Sequence, residues 1–227
     1  MKTVIFDLDG TLADTSADLI AAANHVFEMQ GITPPLDATA DALTAFRGGR
    51  AMLRLGWSRI DGWEDEARVD AGYQPLLEFY GNNIVQHTQL YPGVGACLAT
   101  LAAEDWALGV CTNKPEGLAR QLLDELELTN SFGALFGADT LSVRKPHPLH
   151  FTETLAALGG SLDQTLLIGD TETDAKTARA AGVPLVLVAF GPEGEGIARL
   201  NPNALLHSYA DLPKIAAGLI KTQGKRA

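Results

Sequence analysis

The stretch "VIFDLDGTLADT", Val4 to Thr15, places two carboxylates one residue apart directly after an apolar run. If the backbone stays extended through Leu8, the side chains of Asp7 and Asp9 face the same way, because alternate residues of a strand share a face. Two close carboxylates at a buried strand end repel each other, so one is driven neutral unless a cation holds both ionised. The stretch therefore predicts a counter-charge nearby. Gly10 predicts a tight turn whose backbone N–H groups can cradle an anion.

Two other interpretations of this stretch are an Asp-Gly turn that simply ends a strand and a calcium-binding loop. A calcium loop would need Gly at its sixth position, where the chain has Leu12. It would also need a bidentate Glu at its twelfth position, where the chain has Asp18. The sequence excludes the calcium loop and leaves the plain turn open.

The composition limits the classes to which this protein can belong. With 227 residues, 46% of them hydrophobic, the chain can bury one core, or one core plus a smaller domain. A net charge of −11 argues against a nucleic-acid partner, but it leaves room for a small phosphorylated metabolite, which needs only a few local cations. Cys97 and Cys111 are the only cysteines, with neither a metal-type spacing nor a disulfide framework.

The distribution of apolar residues predicts no membrane partner, because no run approaches the roughly 18 residues that span a bilayer. Lys2 precedes an apolar segment too short for a signal peptide, so we expect a cytoplasmic protein. The sequence leaves open whether it is a monomer or a homodimer. We expect the polar end "KTQGKRA" to be a frayed tail.

Three further apolar runs predict strands buried on both faces of a parallel sheet. These runs are "WALGVCTN" (106–113), "QTLLIGD" (164–170) and "PLVLVAFG" (184–191). Helical patterns beginning at Pro115, Pro148 and Thr171 separate them, and weaker strands are expected around residues 134–137 and 204–206. This alternation predicts an α/β fold with a doubly wound, Rossmann-like parallel-sheet core.

Residues 16–83 break this alternation, because their helical patterns contain no strand-like run. They predict a helical cap domain inserted after the first strand. We place the catalytic core at residues 1–14 and 86–227 and the cap at residues 15–85.

The polar residues that end the apolar runs should meet in one crevice, because ligands bind beyond the carboxyl ends of parallel strands. They are Asp7, Asp9, Thr112, Asn113 and Asp170, with Asp174 one helical turn further on. Such oxygen ligands favour Mg²⁺, which binds through few carboxylates and keeps waters and substrate phosphate. An alternative for Thr171 and Asp174 is a helix-capping pair, which leaves Asp170 unexplained.

Lys145 and the pair Thr112 and Asn113 could also contribute to this crevice, but each has a purely structural alternative. Lys145 precedes Pro146, which biases it towards an extended loop conformation, but it could be a plain surface lysine. Thr112 and Asn113 offer donors for a phosphate oxygen at a strand end. Their alternative is N-capping of the helix that Pro115 opens.

Taken together, "DLDGT", "CTNKP", "RKPHP" and "GDTETD" resemble the four motifs of haloacid dehalogenase-superfamily phosphatases, in order and over essentially the whole chain. The resemblance implies that Asp7 is the nucleophile and becomes an aspartyl phosphate. It implies that Asp9 is the general acid and then the base for water, and that Lys145 offsets charge on Asp7 and the phosphoryl group.

The resemblance also implies the binding residues. The phosphate-binding set is Gly10, Thr11, Thr112, Asn113 and Lys114. The magnesium ligands are Asp7, Asp170, the backbone carbonyl of Asp9, and Asp174 acting through water.

Within the superfamily, the acid at Asp9 favours phosphoryl transfer to water, or to a sugar as in β-phosphoglucomutase. "TNKP", "KPHP", the short helical cap and "AAGVP" most resemble bacterial phosphoglycolate phosphatases, which implies hydrolysis of 2-phosphoglycolate to glycolate and phosphate. Alternatives are a phosphatase for sugar phosphates, pyridoxal phosphate or pyrophosphate, and a phosphomutase. A phosphate-sensing or scaffold protein on the same fold is the non-enzymatic alternative.

The cap segment "FRGGRAMLRLG" departs from the family pattern by carrying three arginines. We hypothesise that Arg47 or Arg50 binds the substrate's carboxylate, since Arg pairs bidentately with carboxylates. The alternative is that these arginines lie on the cap surface or anchor a loop.

Overall fold

The computed structural model describes residues 1–63 and 65–223. Glu64 and residues 224–227, which include the end of the expected frayed tail, lie outside that description. The chain forms two compact units. One comprises Met1–Ala13 and Leu90–Ala227, and the other comprises Asp14–Gln89.

The first unit is built on a six-stranded sheet. The strands of the chain are β1 Thr3–Phe6, β2 Ala13–Asp14, β3 Gln89–Leu90, β4 Ala107–Cys111, β5 Ala134–Phe136, β6 Thr165–Gly169, β7 Leu185–Val188 and β8 Ala204–Leu206. The sheet has the order β5-β4-β1-β6-β7-β8, and all its paired neighbours are parallel. The short strands β2 and β3 pair with each other in a separate two-stranded sheet.

β1 lies in the middle of this sheet, with Thr3 opposite Ala107 on one side and Thr165 on the other. Every residue of β1 is buried, as expected for a strand covered on both faces. The sheet confirms the predicted α/β fold with a parallel, Rossmann-like core. The weaker strands expected around residues 134–137 and 204–206 are β5 and β8.

The helices of the chain are α1 Ser16–Glu28, α2 Ala42–Ala45, α3 Gly49–Asp61, α4 Glu66–Asn82, α5 Val94–Ala103, α6 Glu116–Glu125, α7 Pro148–Ala157, α8 Glu172–Ala181 and α9 Leu212–Gln223. Helices α7 and α8 bury Phe151 and Ala175 in one core with Ile5 and Leu167 of the sheet. Local signals set their ends: Pro148 occupies the first turn of α7, and Gly182 ends α8 with φ of 71°.

The second unit is helical and contains α1 to α4. Its core packs the ring of Phe27 edge-on against Trp57, with ring centroids 4.9 Å apart. Gly56 permits this packing, because a Cβ there would lie 2.2 Å from the Phe27 ring. Asp65 caps α4 by accepting hydrogen bonds from the backbone N–H groups of Ala67 and Arg68.

Among the described residues, no helix combines the length and the apolar composition that crossing a membrane requires.

Candidate active site

The first motif continues directly from the central strand. The backbone N–H of Asp7 donates to Ile168 O at 2.9 Å, so the pairing of β1 with β6 extends to the nucleophile candidate. The chain then turns sharply: Gly10 has φ of 75°, and Leu12 N–H donates to Leu8 O at 2.9 Å. Only glycine adopts that φ without steric cost.

Two backbone N–H groups predicted to bind phosphate donate instead to carbonyl groups within this turn. Gly10 N–H donates to Ala13 O at 2.9 Å, and Thr11 N–H donates to Leu8 O at 3.2 Å. Phosphate binding by Gly10 and Thr11 stays a prediction.

Both oxygens of Asp7 have defined partners. Oδ1 accepts a hydrogen bond of 2.7 Å from Leu8 N–H, and Oδ2 lies 2.9 Å from Lys145 Nζ. Burial raises the pKa of Asp7 to about 6, with the charge of Lys145 opposing this effect and that of Asp174 adding to it. A cation bound beside this carboxylate would favour its ionised form further.

Lys145 is the counter-charge that the two carboxylates of the first motif predicted. Its side chain is buried, and Nζ also donates to Asp174 Oδ1 at 2.7 Å. Burial disfavours the ammonium, but the carboxylates of Asp174 and Asp7 outweigh burial, so the pKa of Lys145 lies above its usual value. The surface-lysine alternative is wrong.

Asp174 has a structural role as well as a place in this charge cluster. Its Oδ2 accepts from the backbone N–H of Thr171 at 3.1 Å and from the Thr171 hydroxyl at 2.6 Å, completing a capping box on α8. Asp174 therefore fulfils both predictions at once: Oδ2 takes part in the helix cap, and Oδ1 pairs with Lys145. Gly169 makes room, because a Cβ there would lie 2.4 Å from Asp174 Cγ.

Asp170, the residue that capping left unexplained, is buried at the end of β6. Its Oδ1 accepts a hydrogen bond of 2.8 Å from the Thr11 hydroxyl, which ties the first motif to the fourth. Burial and then the charges of Asp174 and Asp7 raise the pKa of Asp170 well above its usual value.

These three acids form a group that fits a hard divalent cation. Asp7, Asp170 and Asp174 are all buried, and one carboxylate oxygen from each lies within 4.8 Å of the others. Oxygen donors of this kind are those that Mg²⁺ and Ca²⁺ prefer. The carboxylate of Asp9, predicted to contribute only its backbone carbonyl, is not part of this group.

Asp9 pairs instead with the lysine of the second motif. Lys114 Nζ lies 2.9 Å from Asp9 Oδ1 and 3.1 Å from Oδ2, and the Lys114 side chain is only 3% exposed. The sequence predicted a phosphate-binding role for Lys114, and nothing in its pattern signalled the contact with Asp9. The two carboxylates of the first motif are thus each paired with a different buried ammonium.

Thr112 and Asn113 do not cap the following helix. Thr112 Oγ1 accepts from Lys114 N–H at 3.2 Å, and the Asn113 amide donates to Lys145 O at 3.0 Å. The first N–H of α6, from Glu116, donates to Asp139 at 2.7 Å. The N-capping alternative is wrong, while phosphate binding by Thr112 and Asn113 stays a prediction.

The cap arginines belong to the helical unit. Arg50 forms an ion pair with Asp70, and its guanidinium lies 4.5 Å above the ring of Tyr73. Arg47 is exposed at the end of the loop before α3. These contacts of Arg50 join α3 to α4, and substrate binding by either arginine stays a prediction.

Sequence reasoning missed Tyr209, which supports the first motif from far along the chain. Its hydroxyl donates to the backbone carbonyl of Thr11 at 2.7 Å, and the side chain is fully buried. No local pattern around Tyr209 could have indicated this contact, because it depends on the completed fold.

The comparisons with known proteins agree with this arrangement. The family described as haloacid dehalogenase-like hydrolase matches residues 4–188. A phosphoglycolate phosphatase of Caulobacter vibrioides is 37% identical over 96% of this chain and 92% of its own length. One of Rhodospirillum rubrum is 39% identical over 93% of this chain and 89% of its own.

A solved structure described as a predicted phosphoglycolate phosphatase from Haemophilus somnus superposes with a TM-score of 0.84 at 26% identity, covering 95% of this chain and 97% of that one. A predicted phosphatase from Clostridium acetobutylicum shares the fold, with a TM-score of 0.80 at 23% identity, over 96% of this chain and 99% of that one. The resemblance of the four motifs is confirmed: the chain belongs to the haloacid dehalogenase-like hydrolase family.

Proposed function

We propose that this protein is a Mg²⁺-dependent phosphomonoesterase that hydrolyses 2-phosphoglycolate to glycolate and phosphate through an aspartyl phosphate on Asp7. The observation that carries the proposal is the buried group of Asp7, Asp170 and Asp174, in which Asp7 and Asp174 both pair with the ammonium of Lys145. A carboxylate can attack a phosphate dianion only where positive charge offsets their repulsion, and Lys145 together with a cation held by the three acids would supply that charge.

In the first step, a carboxylate oxygen of Asp7 attacks phosphorus and the bond from phosphorus to the ester oxygen breaks. Asp9 gives a proton to that leaving oxygen, which departs as the hydroxyl of glycolate. Lys145 neutralises charge on Asp7 Oδ2, at 2.9 Å, while the Leu8 N–H holds Oδ1 in place.

In the second step, water attacks the phosphorus of the aspartyl phosphate and loses a proton to Asp9. The bond from phosphorus to the Asp7 oxygen breaks, which releases inorganic phosphate and restores both carboxyl groups to their starting state. Asp9 thus acts first as an acid and then as a base.

The proposal extends to the metal-binding and phosphate-binding groups. Asp7, Asp170 and Asp174 would hold Mg²⁺, which when bound supplies positive charge to the phosphoryl oxygens. Thr112 has a hydroxyl that can donate to a phosphate oxygen, because its oxygen already accepts from Lys114 N–H. The choice of 2-phosphoglycolate rests on the relatives of Caulobacter vibrioides and Rhodospirillum rubrum that carry that enzyme name.

The proposal is tested by measuring kcat/KM over a panel of phosphate esters with Mg²⁺, including 2-phosphoglycolate, sugar phosphates, pyridoxal phosphate and pyrophosphate. We expect 2-phosphoglycolate to rank first and Asp7→Asn to abolish turnover. Asp163→Asn, a change at an exposed acid of the same unit, is the control and should retain full activity. Acid-quenched wild-type enzyme should carry phosphate on Asp7.

Three results would contradict the proposal in different ways. Turnover of no ester would favour the phosphate-sensing alternative. Preference for another ester would overturn the substrate, and full activity of Asp7→Asn would overturn the covalent mechanism.

A further inference from the structure

A buried histidine that the mechanism does not use lies between the ends of two strands. His150, in the first turn of α7, is fully buried in the first unit. Its ring nitrogen Nε2 lies 2.9 Å from the backbone carbonyl oxygen of Gly137, the residue directly after β5. The other ring nitrogen, Nδ1, lies 3.4 Å from Sγ of Cys111, the last residue of β4. One side chain therefore joins the ends of both strands.

The two partners decide which nitrogen of His150 carries the proton. A carbonyl oxygen can only accept a hydrogen bond, so Nε2 must carry the hydrogen that binds Gly137 O. Burial lowers the pKa of His150 below its usual value, with the charge of Lys145 adding to this effect and the Gly137 carbonyl opposing it, so the ring is neutral at pH 7. Burial raises the pKa of Cys111 to about 12, so its sulfur is a thiol. The bare Nδ1 therefore accepts a hydrogen bond from that thiol.

Both contacts bear on the second motif, residues 111–115, because they hold its two ends. Cys111 is the first residue of the motif and directly precedes Thr112. Helix α6 begins after the motif at Glu116, and Gly137 packs closely against that point. A Cβ on Gly137 would collide with the backbone of Glu116. One histidine thus holds the motif from both sides.

The segment after β5 is also hydrogen-bonded to the second motif and to the helix that follows it. Ala138 N–H donates to Lys114 O at 2.9 Å, and Asp139 accepts from the first N–H of α6 at 2.7 Å. A shift of Gly137 away from His150 would therefore move the backbone of the second motif as well.

We propose that His150 is a positioning residue for the second motif: it binds Gly137 O through Nε2–H and the Cys111 thiol through Nδ1, and so sets where the backbone places Thr112. This inference rests on the proposed function, in which Thr112 binds a phosphate oxygen. The side-chain hydrogen bonds of His150 go to Gly137 and Cys111 and, among the described residues, to none of the three acids proposed to hold Mg²⁺. Changes at His150 should therefore weaken phosphate binding and leave Mg²⁺ binding as it is.

The first test observes the proton on the ring directly. A long-range proton–nitrogen NMR spectrum at pH 7 shows which ring nitrogen carries a proton in each of the five histidines. The signal of His150 is the one that is missing from the spectrum of His150→Gln. We expect a neutral ring with its proton on Nε2. A proton on Nδ1 alone, or on both nitrogens, would overturn the assigned contacts.

The second test measures phosphate binding and Mg²⁺ binding separately, by calorimetry and without turnover. Inorganic phosphate is titrated at saturating Mg²⁺, and Mg²⁺ is titrated alone, into wild type, His150→Ala and His150→Gln. We expect His150→Ala to weaken phosphate binding about fivefold, as the loss of a buried hydrogen bond would, with Mg²⁺ binding unchanged. His150→Gln should recover part of the affinity, because its amide N–H can donate to Gly137 O in place of Nε2–H.

A double-mutant cycle tests the contact with Cys111. Cys111→Ala removes the thiol that donates to Nδ1 and should weaken phosphate binding when His150 is present. In His150→Gln that contact is already lost, so Cys111→Ala should have little further effect, as expected for two residues in contact. Fully additive effects would overturn the contact between the two side chains.

The matched control is His207→Gln, which changes an exposed histidine of the same unit that pairs with Glu195. Both affinities should stay as in wild type. Thermal melting shows which variants are folded, and His150→Gln carries the test if His150→Ala does not fold. Variants of His150 that melt earlier but bind phosphate as wild type does would overturn the inference and leave the phosphatase function intact. A wild-type protein that binds no phosphate with Mg²⁺ present would overturn the proposed function itself.

Discussion

The ammonium of Lys145 lies 2.9 Å from Asp7, although the two residues come from the first and third motifs of the chain. The same ammonium donates to Asp174 at 2.7 Å, so one buried cation joins two acids of the site. The local sequence presents Lys145 only as a loop lysine, and the fold places it between these two acids.

We expect Lys145→Met to lower kcat by about 10²–10³-fold, because it removes a positive group aimed at charge that develops in the transition state. Lys145→Arg should not restore activity. The planar guanidinium is larger than the buried ammonium and presents its donors in a rigid fork, so it does not fit the same position. The measurement is kcat for p-nitrophenyl phosphate at saturating Mg²⁺. The control is Lys176→Met, which removes an exposed lysine paired with Glu172 on α8. A Lys145→Met enzyme with more than a tenth of wild-type kcat would contradict this assignment.

Thr11 supports Asp170, and its removal should weaken metal binding more than chemistry. Thr11→Val deletes the hydroxyl that donates to Asp170 at 2.8 Å while keeping the volume of the side chain. Residues that orient metal ligands typically contribute 10–100-fold to metal affinity, so we expect the half-saturating Mg²⁺ concentration to rise about tenfold. Thr11→Ser keeps the hydroxyl and should behave as wild type. An unchanged half-saturating concentration in Thr11→Val would show that Asp170 needs no such support.

Gly169 provides a steric test of the fourth motif. In Gly169→Ala the new Cβ would lie 2.4 Å from Asp174 Cγ, so Asp174 must move away from its contacts with Thr171 and Lys145. We expect a loss of about 1–3 kcal/mol in the free energy of unfolding, as for other overpacked sites, together with a fall in kcat. Urea denaturation and steady-state assays measure the two effects.

The matched control for this change is Gly117→Ala on α6, where a Cβ meets no atom within 4 Å. Alanine is the better helix former, so this variant should be unchanged or more stable by up to about 1 kcal/mol. If Gly169→Ala behaved like the control, the close packing of Asp174 against the strand end would not matter.

The helical unit offers a test of pH-dependent stability at Asp41. This buried carboxylate accepts hydrogen bonds of 2.6 and 2.7 Å from Arg59, and that pairing lowers the pKa of Asp41 below its usual value. Because the folded pKa is depressed, the stabilisation is present above the unfolded pKa of about 3.9 and is lost as the pH falls through the folded value. We expect Asp41→Asn to cost about 1–2 kcal/mol at pH 7, since Arg59 is partly exposed and screened.

Urea midpoints at pH 7 and below pH 4 check this expectation, and the difference from wild type should shrink at the lower pH. Asp61→Asn is the control, because its ion pair with Arg68 is exposed on both sides and should contribute less than about 1 kcal/mol. A cost for Asp41→Asn that stays constant with pH would mean that charge on Asp41 is not the cause.

Much of the sheet and the strand-end acids could be predicted because they depend on local patterns. The apolar run before Asp7 and the one before Asp170 each indicated a buried strand, and parallel strands bring their carboxyl ends to one edge. The same reasoning could not find β2 and β3, since two-residue strands have no periodicity to detect.

Most contacts made by the long lysine side chains of the site could not be predicted from local sequence patterns. Lys114 and Lys145 both follow strands through loops, and which carboxylate each ammonium reaches depends on backbone turns and rotamers. The resemblance of the motifs implied that Lys145 lies beside Asp7, whereas the pairing of Lys114 with Asp9 and of Lys145 with Asp174 required the assembled structure.

The hydrogen bond from Tyr209 to Thr11 has a consequence for how the enzyme is made. During synthesis the first motif leaves the ribosome at the start and Tyr209 only near the end. The loop beside Asp7 therefore gains the hydrogen bond from Tyr209 only when almost all of the chain has been made. Nascent chains that stop before the last strand and helix should therefore lack hydrolytic activity, even though they contain all four motifs.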